Sequence, residues 1–214
     1  MVNAIAIVGE SGIGKTNLIE RLIVEFNNRG MHVAAVKHSH GKIKIDKEGK
    51  DSWRFDQAGS TITVVSSTDS LVLIKNVDSD SSIAEILRII GGSVDLVLFE
   101  GFKKGNIPKI EVYREQSGGK LACPIQILSA IATDKHLDLD VPQIPLNDAS
   151  KIADFIERNI LHIPGTNASL FINGKQVFIK PFVQDIISES LIAMISTLKD
   201  IGEIKNLDIS IEKR

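Results

Sequence analysis

The 214-residue chain has a single cysteine, Cys123, and few aromatic residues, which make up 5% of the sequence. One cysteine excludes an internal disulfide and a multi-cysteine zinc site, and such usage suits a reducing compartment. No charge of one sign dominates, because 25 basic and 27 acidic residues leave a formal charge of -2. The composition therefore gives no general indication of a nucleic-acid or membrane partner.

Long apolar runs are also absent near the start of the sequence. The first apolar run, residues 5–8, is too short for a signal peptide or a membrane-spanning helix. We therefore expect a soluble, cytoplasmic protein. Hydrophobic residues still make up 43% of the chain, and its length predicts one large domain or one domain with a small appendage.

Short apolar segments alternate with helical patterns up to about residue 160. Strands that are separated by helices predict an α/β fold, in which helices flank a mainly parallel sheet. The predicted helices cover residues 18–26, 52–58, 83–90 and 152–160. The predicted strands cover residues 4–8, 33–36, 61–65, 71–74, 94–99, 110–113, 125–131 and 144–146.

The pattern changes near Gly165. Asn173-Gly174 between two apolar arms predicts a β-hairpin, and residues 183–198 place apolar side chains on one helical face. Residues 207–211 alternate like a strand. We therefore predict a main domain over residues 1–163 and a small β-β-α-β extension over residues 165–214.

The segment GESGIGKT, residues 9–16, follows the first predicted strand and opens the first predicted helix. It fits the P-loop pattern G-x-x-x-x-G-K-[ST], in which glycines let backbone N–H groups surround a phosphate. In such a loop Lys15 neutralises phosphate oxygens and the Thr16 hydroxyl coordinates Mg²⁺. The sequence therefore predicts a P-loop NTPase. Its predicted nucleotide-binding residues are Gly9, Glu10, Ser11, Gly12, Ile13, Gly14, Lys15, Thr16 and Asn17.

A P-loop site also needs an acidic residue from a neighbouring strand. Glu100 follows the apolar run of residues 94–99, at the carboxyl end of a predicted strand, where open α/β sheets bind their ligands. Asp95 lies at the other end of that strand and is expected to have a structural role. We predict that Lys15 and Glu100 carry the catalytic role, with Thr16 and Glu100 on the Mg²⁺ side.

A lysine-rich stretch, residues 37–51, follows the second predicted strand at the same edge of the sheet. This position is typical of a nucleotide-dependent switch segment, whereas the charge is typical of a solvated loop, and both interpretations remain open. His38 and His40 lie close together in sequence, but no third nitrogen or sulfur ligand is near. A structural zinc site is therefore not expected.

No motif identifies the base, because the N-K-x-D string that reads guanine is absent. Asp134 follows the predicted strand over residues 125–131, and its carboxylate is able to accept hydrogen bonds from guanine N1 and N2. It is equally able to cap a turn. We favour the turn.

Five segments of the sequence resemble the molybdopterin-guanine dinucleotide biosynthesis protein B (MobB) family. The resemblance spans about residues 3–160, and the tail INGKQVFIKPFVQDII is similar to one on archaeal-type members. The segments are GESGIGKT, VKHSH at 36–40, KIDKEGKDSWRFDQAG at 44–59, LVLFEGFKKG at 96–105 and PQIPLNDASKIADFI at 142–156.

The resemblance implies a GTP- and Mg²⁺-binding protein with weak GTPase activity, which is usually a homodimer. Such proteins assist the guanylyltransferase that attaches GMP to molybdopterin, and molybdopterin itself is a further ligand to consider. The resemblance also implies further residues that line the cleft, namely Lys37, His38, Asp46, Asp51, Arg54 and Lys103.

Two other functions share the P-loop. A small-molecule kinase usually has an arginine-rich helical lid, which does not stand out here, and acceptor-dependent phosphate transfer would identify it. A metallochaperone GTPase would bind metal tightly through His38, His40 or Cys123. These three residues are few candidate ligands for such a site.

Overall fold

The computed structural model describes residues 3–39, 41, 47–117, 120–161, 168, 170–173, 175–177, 179–204 and 207–211. The chain divides into two compact units, a main unit of residues 1–38 and 83–214 and a small unit of residues 39–82. The strands are β1 (Asn3–Val8), β2 (Val33–Lys37), β3 (Ile62–Ser66), β4 (Leu71–Lys75), β5 (Leu96–Glu100), β6 (Lys109–Tyr113), β7 (Ala130–Thr133), β8 (Gln143–Pro145), β9 (Leu170–Ile172) and β10 (Lys175–Val177). The helices are α1 (Lys15–Asn28), α2 (Asp51–Gln57), α3 (Ile83–Ile90), α4 (Ala149–Asn159) and α5 (Pro181–Ile195).

The main unit is built on a six-stranded sheet in the order β2-β5-β1-β6-β7-β8. All neighbouring strands in it are parallel, so their carboxyl ends share one edge. Strand β1 lies between β5 and β6, and five of its six residues are buried. The loop after β1 is therefore bordered by the ends of β5 and β6.

Helices cover both faces of this sheet. On one face Leu22 and Phe26 of α1 and Ile152 of α4 are fully buried in the core, with no exposed surface. On the other face Ile86 of α3 packs against the core that contains Phe99. The predicted α/β architecture, a mainly parallel sheet flanked by helices, is confirmed. Within the described residues, no helix has the length and apolarity that crossing a membrane requires.

The small unit contains the hairpin of β3 and β4 and the helix α2. The two strands pair antiparallel and form a two-stranded sheet of their own. The sequence predicted both strands, but it did not predict that they form a separate two-stranded sheet.

Two strand predictions were wrong. Residues 125–127 form a 3-10 turn, and the strand covers only Ala130–Thr133. Pro124 starts that turn by accepting a hydrogen bond from the Ile127 N–H at 3.2 Å, and an apolar run alone does not distinguish a turn from a strand.

Residues 207–211 form no strand, and Ile211 is 88% exposed. Apolar alternation makes a strand only where a partner strand is available. In its described part, the C-terminal extension is therefore a hairpin, β9 and β10, followed by α5. The predicted domain boundary at residues 163–165 lies outside the described residues and stays a prediction.

The packing of α1 predicts the effect of shortening its buried face. Leu22→Ala should lower the free energy of unfolding by about 2–5 kcal/mol, because it removes buried methyl groups and leaves a cavity. Val24→Ala on the same helix is the matched control, since Val24 is 60% exposed and should change it by less than about 0.5 kcal/mol. Urea unfolding checks both values, and equal losses would contradict this account of the core.

Candidate nucleotide-binding site

The segment of residues 9–16, the glycine loop, connects β1 to α1 and lies close to the end of β6. Gly9 has a φ of 144°, and a Cβ atom on it would lie 2.7 Å from the Val112 carbonyl oxygen. Any larger residue would force the loop away from β6. Gly14 has a φ of 103° and caps α1, whose first hydrogen bond runs from the Leu18 N–H to the Gly14 carbonyl at 3.0 Å.

Ile13 anchors the middle of the glycine loop. Its side chain is only 9% exposed and belongs to the core beneath α1. Its carbonyl oxygen accepts a hydrogen bond from Nε of Arg114 at 3.1 Å. The loop is thus held by close packing at Gly9, by core packing at Ile13 and by a charged donor from the residue that follows β6.

The ammonium group of Lys15 lies across the glycine loop. Its Nζ donates to the carbonyl of Glu10 at 2.6 Å and lies 3.4 Å from that of Gly9. Burial lowers the pKa of Lys15, the Glu100 carboxylate opposes this shift, and the positive charges of Lys103 and Lys37 reinforce it. An anion near Lys15 would therefore relieve an unfavourable charge environment.

Glu100 ends β5 and joins three elements. It lies beside Ile7 of β1 and Lys37 of β2 in the sheet register. Its Oε2 accepts a hydrogen bond from the Thr16 hydroxyl at 2.9 Å, and its Oε1 lies 3.3 Å from Nζ of Lys37. The side chain is 15% exposed. The structure therefore brings Lys15, Thr16, Lys37 and Glu100 together.

Asp95 has the structural role that the sequence predicted. It lies just before β5, at the opposite edge of the sheet, and its carboxylate accepts the His32 N–H at 2.7 Å. This hydrogen bond holds the turn that leads into β2.

The other predicted cleft residues are distributed between the two units. The His38 ring lies 5.1 Å from the Phe102 ring. Lys103 is exposed, and its charge contributes to the lowered pKa of Lys15. Asp51 and Arg54 lie on α2 of the small unit, where they form an ion pair at 3.5 Å. Asp46 lies outside the described residues. The cleft roles of all these residues stay predictions.

Arg114 and Glu111 are two residues near the loop that the sequence analysis missed. Glu111 is 1% exposed and accepts hydrogen bonds from the N–H groups of Ala122 and Cys123, the latter at 3.1 Å. Burial raises its pKa. The sequence marks Arg114 only by its position just after the strand over residues 110–113, and Glu111 only as a charged residue within that strand.

Asp134 lies in the turn after β7, as the favoured interpretation predicted. Its Oδ1 accepts the Glu115 N–H at 3.1 Å, and its Oδ2 lies 3.7 Å from Nη1 of Arg114. Asp134 also lines a cavity of about 340 Å³ at the carboxyl ends of β7 and β8, together with His136 and Gln143.

The donor atoms next to the glycine loop fit Mg²⁺, which prefers oxygen ligands. The Thr16 hydroxyl and the Glu100 carboxylate supply two such oxygens, 2.9 Å apart. Nowhere in the described ranges do three His, Cys, Asp or Glu side chains gather into a metal-binding group. His40 lies outside those ranges.

The parallel sheet and the glycine loop define the class of this protein, an α/β protein of the P-loop NTPase type. Residues 4–134 match the family model described as Molybdopterin guanine dinucleotide synthesis protein B, and the chain belongs to this family. The resemblance found in the sequence motifs is thereby confirmed.

Individual relatives agree with this assignment. The chain is 36% identical to the molybdopterin-guanine dinucleotide biosynthesis adapter protein of Haemophilus influenzae, over 75% of this chain and 91% of that protein. A relative from Methanocaldococcus jannaschii is 26% identical, and the alignment covers 99% of this chain and 98% of the relative, including the C-terminal extension. The crystal structure of Bacillus subtilis MobB has a TM-score of 0.59 at 25% identity and covers 74% of this chain and 98% of that chain.

The charge environment of Lys15 predicts a dependence of stability on pH. Burial lowers its pKa from the ordinary 10.5, so the unfolded chain keeps this proton to higher pH than the folded protein does. The free energy of unfolding should therefore rise with pH over the window below 10.5, and the rise should be smaller in Lys15→Met.

Urea unfolding at about pH 7.5 and about pH 10 measures this rise. Lys104→Met is the matched control, because Lys104 is an exposed lysine. An identical rise in wild type and in Lys15→Met would show that the folded protein does not bury this charge.

Proposed function

We propose that this chain binds GTP with Mg²⁺ through residues 9–17, hydrolyses it slowly, and acts as an adapter in molybdopterin-guanine dinucleotide biosynthesis. In this role it assists the guanylyltransferase that attaches GMP to molybdopterin. The observation that carries the proposal is the contact between Thr16 and Glu100 beneath a positive-φ glycine loop in a member of this family.

The glycine loop supplies the phosphate contacts. Its backbone N–H groups and the start of α1 offer hydrogen bonds and a positive dipole end to an anion. Lys15 adds a full positive charge, and it gains a phosphate partner in place of the carbonyls of Glu10 and Gly9. The preference for GTP over ATP rests on the family and not on a base contact.

Thr16 and Glu100 would hold Mg²⁺, which when bound neutralises phosphate charge. Glu100 already accepts a hydrogen bond from Thr16 and pairs with Lys37. A carboxylate that is engaged in this way is poorly available to take a proton from water. This arrangement supports a binding role with slow hydrolysis.

Calorimetric titration tests the proposed ligand. Wild type should bind GTP with Mg²⁺ more tightly than ATP, and Lys15→Met should lose at least about tenfold in affinity, since a charged hydrogen bond to phosphate is removed. Glu100→Gln should lower hydrolysis more than binding, because it removes charge on the Mg²⁺ side. No Mg²⁺-dependent binding of GTP above ATP would contradict the proposal, and phosphate transfer to an acceptor would favour the kinase.

The hairpin of β3 and β4 supports a homodimer. One of its faces places four exposed apolar side chains together: Ile62 (48% exposed), Val64 (51%), Leu71 (65%) and Leu73 (40%). A two-stranded hairpin is marginal by itself, and exposed apolar patches mark interaction surfaces. A second copy of the chain would cover this face by two-fold symmetry, the commonest arrangement of oligomers.

The mass of the protein in solution tests the dimer. Light scattering should give twice the chain mass for wild type. Leu73→Asp should shift the protein towards monomer, because it puts a charge on the face that the second copy would cover. Leu139→Asp is the control, since Leu139 is a similarly exposed residue (38%) of the main unit. A monomeric wild type would contradict the dimer without affecting the nucleotide site.

A further inference from the structure

Arg114 is the one side chain outside residues 9–16 that is seen in the described residues to donate a hydrogen bond to the backbone of the glycine loop. Its Nε donates to the Ile13 carbonyl at 3.1 Å. Its Nη2 lies 3.6 Å from the position that a Cβ on Gly14 would occupy. The guanidinium therefore lies against the Ile13–Gly14 peptide on the side towards β6.

This contact sets the direction of a backbone donor. In a trans peptide the C=O and the following N–H point to opposite sides. Because the Ile13 carbonyl points towards Arg114, the Gly14 N–H points away from it. A loop that binds phosphate needs its N–H groups to point to the same side. The contact with Arg114 determines the side to which the Gly14 N–H points.

The Ile13–Gly14 peptide needs such a contact because glycine permits more than one orientation. Gly14 has a φ of 103°, and glycine has access to positive and negative φ at similar cost. A rotation of the whole peptide would turn the carbonyl, in place of the N–H, towards an anion. A charged hydrogen bond from Arg114 opposes this rotation.

Asp134 positions Arg114 in turn. Its Oδ2 lies 3.7 Å from Nη1 of Arg114, and its Oδ1 is held by the Glu115 N–H. The guanidinium therefore has an ion-pair partner after β7, Asp134, and a hydrogen-bond partner in the glycine loop, Ile13. The cavity at the ends of β7 and β8, which Asp134 lines, is connected to the loop by these two contacts.

We propose that Arg114 is a positioning residue that keeps the Gly14 N–H turned towards the bound triphosphate, with Asp134 holding Arg114 in place. The proposal rests on the proposed nucleotide binding and adds a residue to it. Arg114 thereby raises the affinity for the triphosphate tail and leaves the affinity for the nucleoside unchanged.

Arg114→Lys tests the proposal, because lysine keeps the charge but has no Nε donor at this position. Affinity for Mg²⁺-GTP and for inorganic triphosphate should fall by the same factor, about tenfold, the usual range for a lost charged hydrogen bond. Arg158→Lys on α4 is the matched control, since Arg158 is exposed and its Nε also donates to a backbone carbonyl, that of Asp154. The control should leave both affinities unchanged.

A readout without nucleotide separates positioning from stability. Amide exchange of Gly14, followed by NMR, should speed up several-fold in Arg114→Lys while the melting temperature stays close to that of wild type. Asp134→Asn keeps an oxygen for the Glu115 N–H and should cause a smaller loss for both ligands. The double variant should lose no more than Arg114→Lys alone, because both residues act through one contact.

Three results would overturn the proposal: unchanged affinity for inorganic triphosphate, a loss confined to GTP, or a lower melting temperature with an unchanged Gly14 amide. If Arg114→Lys folds poorly, Asp134→Asn is measured in its place, and the same three results would overturn the proposal. If wild type binds neither ligand, the proposed function fails, whereas the Gly14 exchange rate still reports on the role of Arg114.

Discussion

The close approach of Gly9 to the Val112 carbonyl is the constraint on which the rest of the site depends. A Cβ at this position would lie 2.7 Å from that oxygen, so only glycine lets the loop lie against β6. In this position the Ile13 carbonyl is within reach of Arg114, and α1 starts where Thr16 meets Glu100. The carboxyl ends of β5 and β6 lie beside the glycine loop because β1 lies between these two strands in the sheet.

The charges around the glycine loop favour an anion. Burial is the main cause that lowers the pKa of Lys15, Glu100 opposes this shift, and Lys103 and Lys37 add to it. A triphosphate would supply negative charge beside Lys15, whereas Glu100 contacts Thr16 and Lys37. These contacts therefore support the proposed nucleotide binding more directly than they support hydrolysis.

Much of this arrangement could be predicted from the sequence. A strand, a glycine motif and a helix fix the loop, and the carboxyl end of a second strand identifies Glu100. The contact of Arg114 could not be predicted, because it joins residues that lie 101 positions apart and no motif marks it. The predicted strand over residues 125–131 was wrong because Pro124 starts a turn. An apolar pattern also does not show which strands pair, so the separate sheet of β3 and β4 was not predicted.

Diffraction from crystals grown with Mg²⁺ and a non-hydrolysable GTP analogue tests the central claim most directly. We expect the phosphates within hydrogen-bond distance of the N–H groups of residues 12–16, with the Lys15 ammonium moved from the Glu10 carbonyl to a phosphate oxygen. Nucleotide density elsewhere on the protein, with Lys15 still bonded to Glu10, would contradict the account.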